Sequence, residues 1–595
     1  MNSKNATQVK LLPKAQTQDQ DESSAPVSPS RILYNSGIAL VTALLLAFVL
    51  LPRTPQWENG ETATRDITAP YTLHVEFQGP DQASASFTVN KGDLIVESGH
   101  RVTERSARIL EEIARREGIG NRLHAYAGLV ALLLIFIYLF YLDIRRFRPT
   151  LIADTKKILL LVLLLFFTAA IAQISKYVFS PLADKLHLDI ITIGFALPAA
   201  AGVMLTSLLF DFHLALRFAF VASILLGIAL QGDPFFSVYC FLGSSIAAFK
   251  VIRCKKRTAL LKAGAFTALV NILVIVCIDL YRGGLIARWA SDLTAGFIGA
   301  VLVTMIVSAT LPFFESLFDI ATDIKLLELM DPNQPLLKEL VFKSPGTYHH
   351  SIFIGNLAEA AAEAIGENPI LARVGAYYHD IGKVTKPEYF IENQRPTENK
   401  HDKLMPSMSS LIIASHVKEG AELARASRLP SSIIDIIQQH HGTSLITYFY
   451  QKAMELQPGT PIAEEDYRYH GPRPRTKVAA IVMLSDAVEA ASRTLEDPSP
   501  QRIQTLTSGI ITRIFLDDQL IMCDLTLRDL REISKSFNLV LSSIFHQRID
   551  YPGIDFTGEK RRSEHLDKKQ FEDKKTGNGR HKDTVGDLVK DHRPS

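Results

Sequence analysis

The sequence has few cysteines and almost no net charge, and both shortages limit what the protein can be. Its 595 residues include four cysteines, and none of them forms a close-spaced pair: Cys240, Cys254, Cys277 and Cys523. This spacing argues against a disulfide framework and against a thiolate metal motif. The 64 basic residues nearly balance the 62 acidic ones, for a net charge of +2. Composition therefore gives no reason to expect nucleic-acid binding, and we expect none.

Apolar residues are abundant, at 47%, and they are concentrated in long runs. One run covers residues 32–51, and seven more follow: Leu123–Leu142, Ile158–Ile174, Ile190–Leu209, Leu214–Leu230, Phe235–Phe249, Leu260–Leu280 and Ala290–Ala309. A run of about twenty apolar residues has the length needed to span the hydrocarbon core of a bilayer. We therefore predict eight membrane crossings, which place the two ends of the chain on the same side.

The distribution of lysine and arginine indicates which side that is. Basic residues follow the second predicted crossing and surround the loop between the sixth and the seventh: Arg145, Arg146, Arg148, Lys156, Lys157, Lys250, Arg253, Lys255, Lys256, Arg257 and Lys262. Loops rich in lysine and arginine stay in the cytoplasm. We therefore expect both ends of the chain to be cytoplasmic.

Composition divides the chain into seven segments and predicts a mainly α fold, a polytopic α-helical membrane protein. The segments are a disordered cytoplasmic tail (1–31), a first transmembrane helix (32–51), a small extracytoplasmic α+β domain (52–121), a seven-helix transmembrane domain (122–310), a juxtamembrane helical linker (311–343), a cytosolic all-α domain (344–556) and a disordered charged tail (557–595). Within the extracytoplasmic domain, Thr103 is predicted to cap a helix that runs to Arg116.

Histidines and aspartates recur within the cytosolic domain at spacings that suit a metal site. Seven of them lie on or beside segments with apolar helical periodicity: His350, His379, Asp380, His416, His440, His441 and Asp486. That periodicity predicts that most of these side chains point inward. Buried charged groups are costly unless they are paired, and a divalent cation satisfies several of them at once. The pattern therefore predicts a metal centre.

The residue types narrow the chemistry of that centre. His379 and Asp380 are adjacent, about 100° apart around a helix, so both can face one centre and Asp380 can bridge two ions. A mixed nitrogen and oxygen ligand set favours iron or manganese. Paired divalent ions are the usual device for hydrolysing phosphate esters. Lys383 could neutralise a phosphate, although a lysine that follows Gly382 could equally be solvated.

Three longer phrases resemble the PgpH-type 7TM-HD family of membrane HD-domain phosphodiesterases. They are HHSIFIGNLAEAAAEAIGENPILARVGAYYHDIGK, HDKLMPSMSSLIIASHVKEG and IIDIIQQHHGTSLITYFYQKA. The resemblance implies a multi-pass protein of the bacterial inner membrane that opens cyclic di-AMP to linear pApA with two metal ions. It also implies a role for each position: Asp380 as bridging carboxylate, His441 at the substrate phosphate or a metal, and as metal ligands His350, His379, His416, His440 and Asp486.

Other functions stay open at the level of the sequence. Residue chemistry alone reaches phosphate-ester hydrolysis, so cyclic di-GMP or a guanosine polyphosphate is an alternative substrate. A membrane receptor that binds a nucleotide without turnover is a second alternative, and transport through the membrane helices is a third. Charges cluster near the ends of the predicted crossings, which argues against transport. Besides the nucleotide, we expect contact with membrane lipid, and a homo-oligomer stays open.

Overall fold

The computed structural model describes residues 29–50, 60, 67–69, 71–78, 84–97, 100–116, 119–186, 188, 190–230, 233–252, 254–283, 286–394, 399–459, 461–496 and 498–545. Over these residues the chain is mainly α-helical, as predicted. The predicted charged tail 557–595 and residues 1–28 of the predicted N-terminal tail lie outside the described residues.

The predicted extracytoplasmic segment combines strands with one helix. Its elements are β1 (Ile67–Thr68), β2 (Leu73–Gln78), β3 (Ser84–Val89), β4 (Leu94–Val96) and α2 (Glu104–Arg116). β1 pairs with β4 and β2 pairs with β3, both antiparallel. Thr103 accepts a hydrogen bond from the backbone of Ser106 at 3.2 Å, which confirms the predicted helix start.

The apolar runs form a helical bundle. Its helices are α1 (Pro29–Leu50), α3 (Ile119–Phe147), α4 (Pro149–Ala153), α5 (Thr155–Leu186), α6 (Ile190–Phe195), α7 (Ala201–Leu209), α8 (Phe212–Ala229), α9 (Pro234–Val251), α10 (Arg257–Tyr281) and α11 (Ile286–Phe318). Among the described residues, six of these helices are long and apolar enough to cross a membrane: α3, α5, α8, α9, α10 and α11. The protein is therefore a multi-pass membrane protein.

Two of the eight predicted crossings are not among these six. The first lies in α1, whose described apolar part, Gly37–Leu50, is shorter than a full span. The run 190–209, predicted as a single helix, is broken between α6 and α7. Pro198 lies in the break, and proline both lacks an amide hydrogen and disfavours helical geometry in the residue before it. The break is buried inside the bundle, where the Tyr239 hydroxyl donates a hydrogen bond to the Phe195 carbonyl at 2.8 Å.

The C-terminal domain is a compact set of helices. They are α14 (Pro345–Ala364), α15 (Pro369–Tyr378), α16 (Pro406–Ala426), α17 (Ser431–Gln439), α18 (Thr447–Leu456), α19 (Lys477–Ser492), α20 (Pro500–Leu516) and α21 (Leu527–Ile544). Most of the residues of α19 are buried. It runs through the core because α14, α15, α17 and α20 all pack against it.

Two short helices connect the bundle to this domain, and the connection is bonded at both ends. α11 continues past the predicted boundary at residue 310 and is followed by α12 (Asp323–Leu329) and α13 (Pro335–Lys343). Arg257, at the start of α10, donates to both carboxylate oxygens of Glu328 on α12, at 2.7 and 3.2 Å. Asp319, just after α11, accepts from the backbone amide of Ser431 at the start of α17, at 3.1 Å.

Candidate metal centre

The seven predicted ligand side chains come together from five parts of the C-terminal domain. Their potential ligand atoms fall into two groups, and within each group these atoms lie within 4.8 Å of one another. The His350 group consists of His350, His379 and Asp486, and the His416 group consists of Asp380, His416, His440 and His441. α14, α15, α16, α17 and α19 therefore all contribute to one candidate centre.

Asp380 lies between the two groups. Its Oδ2 atom is 3.2 Å from His379 Nε2 and 3.7 Å from His350 Nε2. Its Oδ1 atom is 3.2 Å from His416 Nε2 and 3.6 Å from His440 Nε2. Each oxygen of this one carboxylate thus faces the imidazoles of a different group, which is the arrangement that a carboxylate shared by two ions requires.

The histidine tautomers are set by what each Nδ1 atom contacts. Nδ1 lies 2.6 Å from the Ala376 carbonyl in His379, 2.5 Å from the Ile413 carbonyl in His416 and 2.8 Å from the Ile437 carbonyl in His440. A carbonyl only accepts, so Nδ1 carries the proton in all three rings. When such a ring is a neutral metal ligand, its lone pair is on Nε2, the atom that faces Asp380.

A glycine brings Asp380 into position. After Asp380 the chain forms a 3-10 turn over Ile381–Thr385. A Cβ atom on Gly382 would lie 1.9 Å from the His416 carbonyl oxygen and 2.6 Å from the Gly420 nitrogen. Only glycine permits such backbone contact with α16, and this contact places the Asp380 carboxylate beside the His416 ring.

The residues fit a pair of divalent cations. His379 Nε2 and Asp380 Oδ1 are buried and make no hydrogen bond within the described part of the chain, although imidazoles and carboxylate oxygens crowd around them. Buried polar atoms without partners are costly, and a cation shared by these ligands would remove that cost. Five imidazoles and two carboxylates form a mixed nitrogen and oxygen donor set, which suits transition metals such as iron or manganese.

Lys383 is held by carboxylates in the structure. Its Nζ atom is 2.7 Å from Asp380 Oδ2 and 2.9 Å from Glu392 Oε1. Glu392 also accepts a hydrogen bond from the Thr347 hydroxyl at 2.9 Å. Burial alone would raise the pKa of Asp380, but the charges of His379 and Lys383 hold it well below its usual range. Lys383 thus keeps Asp380 anionic and is not solvated, and a contact with the substrate phosphate stays a prediction.

His441 is the most accessible of the seven, with 20% of its side chain exposed against 13% for Asp486. The Tyr469 ring stacks on it, with 4.1 Å between ring centroids. Burial and the neighbouring His440 lower the pKa of His441 well below its usual range, so its imidazole is neutral at physiological pH. His441 is therefore the candidate ligand nearest to solvent, and its role at the substrate phosphate stays a prediction.

Two of the buried imidazoles have opposite protonation states before metal binds. Burial lowers the pKa of His440 to about 4. Burial would also lower the pKa of His350, but hydrogen bonds to Asp486 and Glu489 raise it to about 10. His350 thus carries a proton that a cation must displace, whereas His440 is already neutral.

Glu489 is a buried member of the site that the sequence analysis does not assign. Its Oε2 atom lies 2.6 Å from His350 Nδ1, and 2% of the residue is exposed. A signal for it was present, because Glu489 follows Asp486 by three residues on an otherwise apolar helix. That spacing puts both carboxylates on one face.

The chain combines a helical membrane bundle with an all-α domain that contains paired groups of histidines and aspartates. This combination defines a membrane HD-domain protein. Residues 123–322 match the family described as "7TM receptor with intracellular HD hydrolase". Residues 347–491 match the HD domain. The chain belongs to this 7TM-HD family, and the resemblance seen in the sequence is confirmed.

Two curated relatives are named cyclic-di-AMP phosphodiesterase PgpH. The Bacillus subtilis protein is 35% identical over 78% of this chain, and the Listeria monocytogenes protein is 38% identical over 61%. The chain spans 65% and 51% of the lengths of these relatives. The crystal structure of the L. monocytogenes PgpH HD domain in complex with cyclic di-AMP is 50% identical, covers 37% of this chain and 100% of its own, and has a TM-score of 0.35.

Proposed function

We propose that this protein is a metal-dependent phosphodiesterase that hydrolyses cyclic di-AMP to pApA at the cytoplasmic face of the bacterial inner membrane. The observation that carries the proposal is the position of Asp380, whose two carboxylate oxygens each face a separate set of imidazoles. A purely structural or single-ion site has no need of a carboxylate shared in this way. The names of the two PgpH relatives support cyclic di-AMP as the substrate.

The reaction adds water across one phosphodiester bond. Water oxygen joins the phosphorus, and the ribose 3′ oxygen leaves with a proton. When bound, two divalent ions polarise the phosphate and activate water. Seven side chains would hold them: His350, His379, Asp380, His416, His440, His441 and Asp486. Iron and manganese are the ions that this donor set favours.

The remaining roles belong to residues at the edge of the centre. Lys383 keeps the shared Asp380 anionic and fixes its Oδ2 atom through a contact of 2.7 Å. His441, neutral and partly exposed, is placed to donate a hydrogen bond to the substrate phosphate or to bind a metal ion. The stacked Tyr469 ring limits the orientations that His441 can take.

Contacts of the basic loop support a cytoplasmic location for the HD domain. Arg257 follows the predicted cytoplasmic loop between α9 and α10, and its ion pair with Glu328 ties this loop to the connector that leads into the HD domain. The loop and the domain are therefore on the same side of the bundle. The positive-inside rule assigns that side to the cytoplasm.

The test is product analysis with the purified full chain in detergent, loaded with Mn²⁺ or Fe²⁺. Cyclic di-AMP, cyclic di-GMP and a guanosine polyphosphate are incubated separately with the wild type and with Asp380→Ala. We expect pApA from cyclic di-AMP, and no product from the variant. If another nucleotide is cleaved faster, cyclic di-AMP is not the substrate. If the nucleotides bind and none is cleaved, the protein is a receptor and not an enzyme.

A further inference from the structure

His350 is oriented differently from the other imidazoles of the centre. In His379, His416 and His440, Nδ1 donates to a backbone carbonyl three residues earlier in the chain. These three orientations are therefore fixed by local backbone, which no side-chain substitution removes. In His350, Nδ1 instead lies 2.6 Å from Glu489, a side chain 139 residues away on α19.

Glu489 is itself held in place. Its Oε1 atom accepts from Arg493 Nε at 2.7 Å and lies 2.5 Å from a second Arg493 nitrogen. Its Oε2 atom is then left to contact His350. The side chain of Glu489 is 3% exposed, whereas that of Arg493 is 49% exposed. A buried carboxylate anchored on one oxygen by an arginine and aimed with the other at an imidazole is a rigid acceptor.

We propose that Glu489 is a positioning residue, which accepts from Nδ1 of His350 and holds its Nε2 toward Asp486 and Asp380, and thereby sets the affinity of the His350 group for its metal ion. The inference rests on the proposed function, since it takes the centre to hold two ions. A carboxylate that accepts from the far nitrogen of a metal-bound histidine orients the ring and makes it a better donor, and losing it costs about 10 to 100-fold in metal affinity.

The effect is confined to one of the two ions. His350 Nε2 lies 3.1 Å from Asp486 Oδ1 and 3.7 Å from Asp380 Oδ2, both of which face the His350 group. The His416 group contains no side chain that contacts Glu489 among the described residues. Loss of Glu489 should therefore weaken the ion bound by the His350 group and leave the ion of the His416 group bound.

The experiment measures metal binding and not turnover. The full chain in detergent is stripped of metal and titrated with Mn²⁺ under competition from a chelator, so that the two dissociation constants are resolved. We expect Glu489→Gln, which keeps the shape and loses the charge, to weaken one constant by about 10-fold, and Glu489→Ala to weaken the same constant by up to about 100-fold. Thermal unfolding without metal shows whether each variant folds.

Glu419→Gln is the matched control. Glu419 follows His416 by three residues, as Glu489 follows Asp486, but it bonds to Thr385 and Lys386 and to none of the seven candidate ligands. The two Mn²⁺ dissociation constants of Glu419→Gln should equal those of the wild type.

The inference would be overturned if Glu489→Ala bound both ions with the dissociation constants of the wild type. It would also be overturned if both dissociation constants rose equally and the metal-free variant had a lower unfolding temperature. Fewer than two ions in the wild type would also overturn it. A wild type that binds two ions but cleaves no nucleotide would remove the proposed function and leave the role of Glu489 standing.

Discussion

The buried threonines of the membrane bundle and the buried side chains of the candidate metal centre find their polar partners in different ways. In the bundle, buried threonines donate to the carbonyl four residues earlier in the same helix, as in Thr168, Thr206, Thr267 and Thr304. In the metal centre, the buried side chains meet across helices, and His350 and Glu489 are 139 residues apart in sequence. The four threonines are therefore bonded locally and independently of one another, while the side chains of the centre depend on one another. The bundle also has buried bonds between helices, such as that of Tyr239 to Phe195, so the contrast is one between these two sets of residues.

This difference predicts how far the effect of one substitution spreads. A threonine bonded within its own helix is replaced at the cost of that bond alone. A ligand in the metal centre is shared, so its loss leaves several other buried groups without partners. Four experiments test this contrast, and they are arranged from the largest expected effect to the smallest.

Asp380→Ala should have the largest effect, because both groups share this carboxylate. Loss of the paired ions removes several kcal/mol of transition-state stabilisation, which corresponds to about 10³-fold in rate. The measurement is the rate of pApA formation by the full chain, with metal content determined on the same sample. Retention of both ions and of wild-type turnover would contradict the shared role of Asp380.

Removal of metal should destabilise the HD domain and leave the bundle unchanged. Each ion present at 100 times its dissociation constant stabilises the folded domain by about 2.7 kcal/mol, or about 5–10 °C in unfolding temperature for a domain of this size. Thermal unfolding of the full chain is followed with and without chelator, with a probe in each region. An equal shift in both regions would show that they unfold as one unit.

Metal affinity should rise with pH because of His350. The pKa of His350 is about 10 in the metal-free site, so below that pH a proton competes with the ion for Nε2. Affinity of the His350 group should increase about tenfold per pH unit between pH 7 and 9 and level off above pH 10. His440, with a pKa of about 4, adds nothing in this range. Mn²⁺ titrations at several pH values test this, and a flat profile would contradict it.

Thr267→Val should have the smallest effect. The Thr267 hydroxyl donates to the Ala263 carbonyl at 2.9 Å within α10, and valine has nearly the same shape. The free energy of unfolding should fall by about 1 kcal/mol or less, with turnover and metal content unchanged. Comparing this variant with Asp380→Ala in the same detergent measures the contrast directly. A large loss of activity in Thr267→Val would contradict the expectation that this threonine affects only its own helix.

Sequence patterns predict most of the centre because its motifs are local. Periodicity places side chains such as His379 and His416 on inward faces, and the two-letter adjacency of His379 and Asp380 suggests a shared carboxylate. Periodicity cannot predict partners, because it carries no information about which distant helix a face meets. The contact of Glu489 with His350 depends on packing between helices that are far apart in sequence. Lys383 and Glu392 are close in sequence, but they lie in separate short 3-10 turns, which helical periodicity does not describe.

The bundle shows a different limit of sequence reasoning. Mean hydropathy over the run 190–209 conceals Pro198, which interrupts the helix even though the surrounding residues are apolar. Pro198 acts on backbone geometry, whereas the apolar run as a whole indicates only that the segment is buried. An average over the run therefore predicts the burial but not the break in the helix.

The short helix α17 connects the end of the bundle to the metal centre. It starts at Ser431, whose amide is bonded to Asp319 beyond α11, and it ends where His440 and His441 begin. Its nine residues span about 13.5 Å, and a helix of that length does not compress. Metal–ligand distances tolerate about 0.2 Å. A displacement of about 1 Å at the membrane end of this helix, passed on in full to its other end, would therefore exceed that tolerance.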